Sequence, residues 1–270
     1  MDFQIKNILV GFDNSKSAKI ALNKAADTAR RFDAKLHAVY VYHEGTADPS
    51  VVQQAVLEVG NAMGIDIEFL IKTGKVYNEI SALEREIGAD MVIIGTHGNS
   101  GWQPFWIGSN AFRVASASNC PVITILETTK EAPLSDILLP LDIDETTRQK
   151  VPYAAMMAEA FDATIHVFSV TKNTDKAAKS KLTAYGRQTE KYLHERGIKT
   201  TYHSKFGGDV TQNILDYSKQ IRAGLIMIMA DTESKSFIMG SYSQDIVNNS
   251  KVPVMVMHSR DLALTGAVGY

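Results

Sequence analysis

The chain alternates two hydrophobic patterns from about residue 6 onward. The runs Ile8-Leu9-Val10, Met91-Val92-Ile93-Ile94 and Val122-Ile123-Thr124-Ile125 are largely apolar without a polar position at every second residue. Such runs mark strands covered on both faces, as in a parallel sheet between helix layers. Between them apolar positions recur three and four apart, as at Ala18, Ala21, Ala25 and Ala29, which is helical spacing. The pattern predicts strands at 6–12, 35–42, 65–72, 90–95 and 121–126, with helices at 15–31, 50–63, 76–87 and 109–118. It then begins again. Strands follow at 136–141, 164–171, 199–206, 224–230 and 253–258, with helices at 144–160, 175–196, 210–221 and 240–249. Residues 259–270 read as a loose tail. Regular alternation of strand and helix is the signature of an α/β fold.

The residues repeat as well as the pattern. Phe32-Asp33-Ala34 returns as Phe161-Asp162-Ala163, and Ile8-Leu9-Val10-Gly11-Phe12-Asp13 as Ile137-Leu138-Leu139-Pro140-Leu141-Asp142, both at an offset of 129. Gly108-Ser109 returns as Gly240-Ser241 and Pro121-Val122 as Pro253-Val254, both at 132. Ordered anchors at nearly constant spacing mean duplication, and each unit is long enough to be a domain. The expected domains are 1–127 and 135–260, joined by a polar stretch containing Pro133.

Composition narrows the partners. The net charge is −2, and residues 1–130 hold 12 basic against 14 acidic side chains, so no basic footprint for nucleic acid is expected. One cysteine, Cys120, excludes an internal disulfide and a multi-cysteine zinc site. The first residues lack a basic lead-in, and the longest apolar runs fall far below the ~20 residues that span a bilayer. The reading is a cytoplasmic protein without a membrane segment.

In an open α/β sheet, ligands meet residues just beyond the carboxyl ends of the strands. Three groups stand there in the first half. Asp13 can accept hydrogen bonds from a ribose or base, or can serve with Asn14 and Ser15 as a helix cap. Gly95-Thr96-His97-Gly98 lets backbone approach a ligand, or simply makes a tight turn. Gly108-Ser109-Asn110 opens a helix, which is either an anion site or an ordinary capped terminus.

Taken together, Gly95-x2-Gly98-x9-Gly108-Ser109 with an acid after the first strand resembles the nucleotide-binding signature of the universal stress protein family. Ile8-Leu9-Val10-Gly11-Phe12-Asp13-Asn14-Ser15 and Asn119-Cys120-Pro121-Val122 are similar to other parts of that family's pattern, in two tandem copies. The resemblance implies two doubly wound domains, each with a five-stranded parallel sheet in the order 3-2-1-4-5. It implies ATP binding, usually with Mg²⁺ or Mn²⁺. Asp13 would meet the adenosine part and Val41 would pack on the base. The turn Gly95-Thr96-His97-Gly98 would lie along the nucleotide, and Gly108, Ser109 and Asn110 would hold phosphates. It also implies an intramolecular pseudo-dimer, with Pro121 to Ile125 and Pro253 to Met257 as the pairing strands, or else a homodimer.

The second half departs from the signature. Met229 and Thr232 stand where the first half has Gly95 and Gly98, and Asp231 and Glu233 would repel phosphates, so an altered or empty site is expected. In the first half, residues 99–107 contain no Lys or Arg, and phosphates would rely on amides, the helix dipole and a metal. Trp102, Phe105 and Trp106 could form a lid or anchor their own loop. No hydrolytic constellation is visible, so at most weak ATP hydrolysis is expected. His37 and His166 recur within the second strand of each half and read as structural. The rival readings are an adenylate-using enzyme of related fold and an interaction scaffold that binds no nucleotide.

Overall fold

The computed structural model describes residues 4–96, 109–129, 133–230 and 241–258. The described chain forms two compact α/β units.

The first unit runs β1 (Asn7–Gly11), α1 (Lys16–Phe32), β2 (Lys35–Tyr42), α2 (Pro49–Met63), β3 (Ile67–Thr73), α3 (Val76–Ile87), β4 (Met91–Gly95), α4 (Ser109–Ala117) and β5 (Val122–Ile125). Its strands are parallel, in the order β3-β2-β1-β4-β5. Ile8, Leu9 and Val10 of β1 are fully buried, because helices cover both faces of this central strand. In α1 the apolar stripe Ala18, Ala21, Leu22, Ala25, Ala26 and Ala29 is buried. Ser15 caps its start by accepting from the Ala18 N–H at 3.3 Å. Its end turns through Asp33 in the left-handed region, φ 53°. Asp48 and Pro49 open α2, and glycines at 64 and 88 end α2 and α3 with left-handed caps. The buried carboxylate of Glu84 on α3 accepts from the Ser118 hydroxyl at 2.9 Å and the Asn119 N–H at 2.7 Å, tying α3 to the turn before β5.

The second unit runs β6 (Asp136–Leu141), a 3-10 segment (Glu145–Lys150), α5 (Val151–Phe161), β7 (Thr164–Thr171), α6 (Lys176–Glu195), β8 (Thr200–Phe206), α7 (Val210–Gln220), β9 (Leu225–Met229), α8 (Ser241–Asn249) and β10 (Val254–Met257). Its strand order, β8-β7-β6-β9-β10, repeats that of the first unit. Both units therefore carry the doubly wound order 3-2-1-4-5.

Two local features break the repeat. The single helix expected at 144–160 is instead the 3-10 segment followed by α5, whose first turn holds Pro152. And β6 carries Pro140 within the strand. β1 pairs with β4 over Ile8 to Gly11, whereas β6 pairs with β9 only at Ile137 and Leu138. Proline has no N–H to donate to a ladder.

The two repeated histidines each join three strands. His37 Nδ1 lies 2.8 Å from Glu68 Oε2, and its Nε2 lies 3.4 Å from Asn7 Oδ1. His166 stands between Asp136 Oδ1 at 2.9 Å and Thr201 Oγ1 at 2.8 Å. The acid sits on the third strand in one unit and on the first strand in the other, so each imidazole keeps one carboxylate. Among the described residues no helix is long and apolar enough to cross a membrane.

Candidate functional site

A cavity of about 540 Å³ opens in the first unit at the carboxyl ends of β1, β2 and β4. The chain runs outward from β1 to β2 and β3, then crosses back to β4, so the sheet reverses direction between β1 and β4. That reversal leaves a crevice above the strand ends.

Gly11, Phe12 and Asp13 bring the end of β1 to the wall. The Phe12 N–H still pairs with the Val39 carbonyl at 2.9 Å, and Asp13 is the first residue beyond the ladder. Asp13 Oδ1 accepts from the Ser15 N–H at 3.0 Å, which shapes the entry to α1. Asn14 between them has φ 64°, a conformation asparagine tolerates better than most residues. Both readings of Asp13 thus coexist, since it braces a helix entry while lining the cavity.

Val41, mostly buried at the end of β2, lines the cavity beside Val39 and Tyr40. The loop that follows, His43 to Ala47, forms the adjoining wall. Thr46 Oγ1 donates to the His43 carbonyl at 2.6 Å, and the Tyr40 hydroxyl donates to the Ala47 carbonyl at 2.7 Å. Sequence reasoning missed this loop. The available signal was its place directly after the strand next to β1, the same rule that drew attention to Asp13.

Gly95 and Thr96 line the cavity from β4. The reason for a glycine at 95 lies on another side. A β-carbon there would come within 2.6 Å of Ser17 Oγ, 2.8 Å of the Ala18 nitrogen and 2.8 Å of the Ser17 carbonyl carbon. The missing side chain lets the first turn of α1 close onto β4. Thr96 donates both its N–H (2.9 Å) and its hydroxyl (3.3 Å) to the Ile125 carbonyl, which anchors β4 to β5. Asn110, exposed, and Ala111, buried, bring the first turn of α4 to the rim, and Ser109 opens that helix. His97, Gly98, Gly108 and the three aromatics Trp102, Phe105 and Trp106 lie outside the described residues.

The described wall is mainly apolar. Asp13 is its one carboxylate, and no Lys or Arg lines it among the described residues. Among the described residues no cluster of three potential metal ligands occurs.

The second unit is built differently at the matching corner. Asp142 follows β6, but its Oδ1 accepts from the Ile143 N–H at 2.6 Å, and its own N–H goes to Thr147 Oγ1 at 3.2 Å. Met229, buried, ends β9 where Gly95 ends β4. In this unit the 3-10 segment packs on β9.

A family model for the universal stress protein family matches residues 4–125 and again 134–258. A universal stress protein of Methanocaldococcus jannaschii is 26% identical over 144 residues, covering 47% of this chain and 85% of that protein. A putative universal stress protein of Staphylococcus haemolyticus is 30% identical over 138 residues, covering 44% of this chain and 84% of its own length. Each of these relatives therefore corresponds to about half of the chain. The crystal structure of a universal stress protein from Archaeoglobus fulgidus is similar, with a TM-score of 0.78, 20% identity, and coverage of 95% of this chain and 100% of that one. Two matched segments, a repeated strand order and a full-length structural counterpart lead to one conclusion: the chain belongs to the universal stress protein family, as a tandem of two such domains.

Proposed function

We propose that the chain is a nucleotide-responsive stress regulator of the cytoplasm that binds ATP in the cavity of its first unit. The observation that carries this reading is the cavity's position at the strand-order reversal between β1 and β4, with the amino-terminal turn of α4 at its rim. Its volume, about 540 Å³, lies in the range of small-ligand sites. Val39 and Val41 offer the base an apolar wall, and Asp13 offers an acceptor for ribose or base donors. Gly98, Gly108, Ser109 and Asn110 would take the phosphates through main-chain N–H groups, the α4 dipole and a hydroxyl.

The described lining contains one carboxylate, which suits a metal held chiefly by the nucleotide's own phosphate oxygens and waters, as Mg²⁺ commonly is. A protein cage for the ion is not part of this reading. Binding, with at most weak hydrolysis, is the proposed activity. The second unit, with Met229 for Gly95, serves as the pseudo-symmetric partner rather than a second ATP site. The final strands of the two units are the proposed pairing elements of an intramolecular pseudo-dimer.

The test is nucleotide retained through purification, read by chromatography of the denatured protein, followed by calorimetry with ATP and Mg²⁺. Asp13→Ala and Gly108→Val should each weaken binding at least tenfold, and Asp142→Ala should leave it unchanged. No retained nucleotide and no heat of binding would leave the scaffold reading. Pyrophosphate release with a carboxylic acid substrate would support the adenylating enzyme.

A further inference from the structure

The two breaks in the repeat converge on one side chain. Pro140 parts β6 from β9 beyond Leu138, and the 3-10 segment Glu145–Lys150 packs against both strands. Its last residue, Lys150, stands at the 129-residue offset from the buried Ala21 of α1. Lys150 is only 1% exposed. Among the described residues its ammonium has one hydrogen-bond acceptor, the Thr147 carbonyl at 2.6 Å.

Among the described residues, the charges around it do not neutralise it. Asp142, just beyond β6, attracts the ammonium, but loss of hydration outweighs that attraction and pushes the amine down from 10.5 to about 7. All five residues of β9 are apolar. On α5 the acid is Glu159, which is exposed and paired with Arg196 at 3.4 Å. Within the segment, Asp144 accepts from the Thr146 N–H at 2.9 Å. Arg148 lies 4.0 Å over the Tyr185 ring of α6. The side chain of Glu145, and Asp231 and Glu233 after β9, lie outside the described residues.

The segment is also the weak point of this corner. Hydrogen bonds in 3-10 geometry are poorer than those of an α-helix. Among the described residues, Gln149 Oε1, buried in the segment, has no hydrogen-bond partner. Water entering the segment would hydrate both the amine and that oxygen, at less cost than unfolding the unit.

We propose that Lys150 is a proton-binding switch in the second unit. With a neutral amine the 3-10 segment stays closed against β6 and β9. On taking a proton, the ammonium swings with the segment into water. The site's ligand is the proton, and no nucleotide is required.

The sign follows from linkage. The opened lysine holds its proton up to about 10.5 and the closed one only up to about 7, so acid favours opening. Opening should be about 50-fold more populated at pH 7 than at pH 9, and should level off below about pH 6.

Hydrogen exchange of the full chain, corrected for the intrinsic pH dependence of exchange, reads this directly. Protection of amides 145–151 should fall about 50-fold from pH 9 to pH 7, while β7 amides hold theirs. In Lys150→Met the fall should vanish. A fall that persists in Lys150→Met, or wild-type protection that does not change with pH, overturns the proposal. A ¹³Cε titration of the lysines in the wild-type chain needs no variant. One lysine with a midpoint near 7 supports the switch, and a set that all titrates above 10 refutes it.

Discussion

Replacing Gly95 by alanine separates two roles that the sequence alone merges. The added β-carbon meets Ser17 Oγ at 2.6 Å and two main-chain atoms of α1 at 2.8 Å. The serine hydroxyl can rotate, but the main chain of α1 is held by the Ser15 cap and by the buried Ala18, Ala21 and Leu22. Overpacking of a well-filled core typically costs about 1–3 kcal/mol, and contacts with backbone belong in the upper half, about 2–3 kcal/mol. With a urea dependence near 2 kcal/mol per M, the unfolding midpoint of the first unit should drop by about 1 M. Exchange of the buried β1 and β4 amides in rising urea reads the unfolding of that unit. ATP affinity measured on the folded variant supplies the second readout. A midpoint within about 0.2 M of wild type, together with lost ATP binding, would mean that Gly95 serves a ligand and that the packing argument is wrong.

Three other changes test the remaining links. Tyr40→Phe removes the 2.7 Å bond to the Ala47 carbonyl. Since Ala47 is exposed and water can replace the phenol, it should cost under about 1 kcal/mol yet speed amide exchange in residues 43–47; unchanged exchange would show that the loop holds itself. Glu84→Ala strands the buried Ser118 hydroxyl and the Asn119 N–H and should lower the urea stability of the first unit by about 2–4 kcal/mol, against near-neutrality if that carboxylate were ornamental. Because the Lys150 amine sits at about 7 when folded and 10.5 when free, stability of the second unit should rise by about 2 kcal/mol between pH 7 and 9, as the folded form sheds a proton that the unfolded form keeps. Calorimetric scans of wild type and Lys150→Met at both pH values check this, and the variant should be flat.

Much of the fold was legible in advance because strand and helix periods are local properties. The boundaries of β2 at 35–42 and of α3 at 76–87 coincide with the predicted ones. The expected helix at 144–160 divided because periodicity does not register how tightly a strand end admits a helix turn. Pro152 marks the start of α5, but the 3-10 segment before it packs on β9, a strand far along the chain. The candidate site was half legible. Asp13, Val41, Gly95, Thr96 and Asn110 do line one cavity. The loop His43 to Ala47 carries no motif, and the Tyr40 hydroxyl of β2 and the turn closed by Thr46 help to hold it in the wall.

Hydrophobic spacing and the 129-residue echo settled, without coordinates, that the chain is a duplicated α/β protein, because both are carried by neighbours along the chain. Whether a glycine faces a helix or a ligand, and whether a lysine in a polar-looking stretch is solvated or buried, depended on atoms distant in sequence. Gly95 acquires its meaning from Ser17 and Ala18, and Lys150 from burial near Asp142 and β9. Close packing and the loss of water are properties of the assembled interior, and only the folded chain creates them.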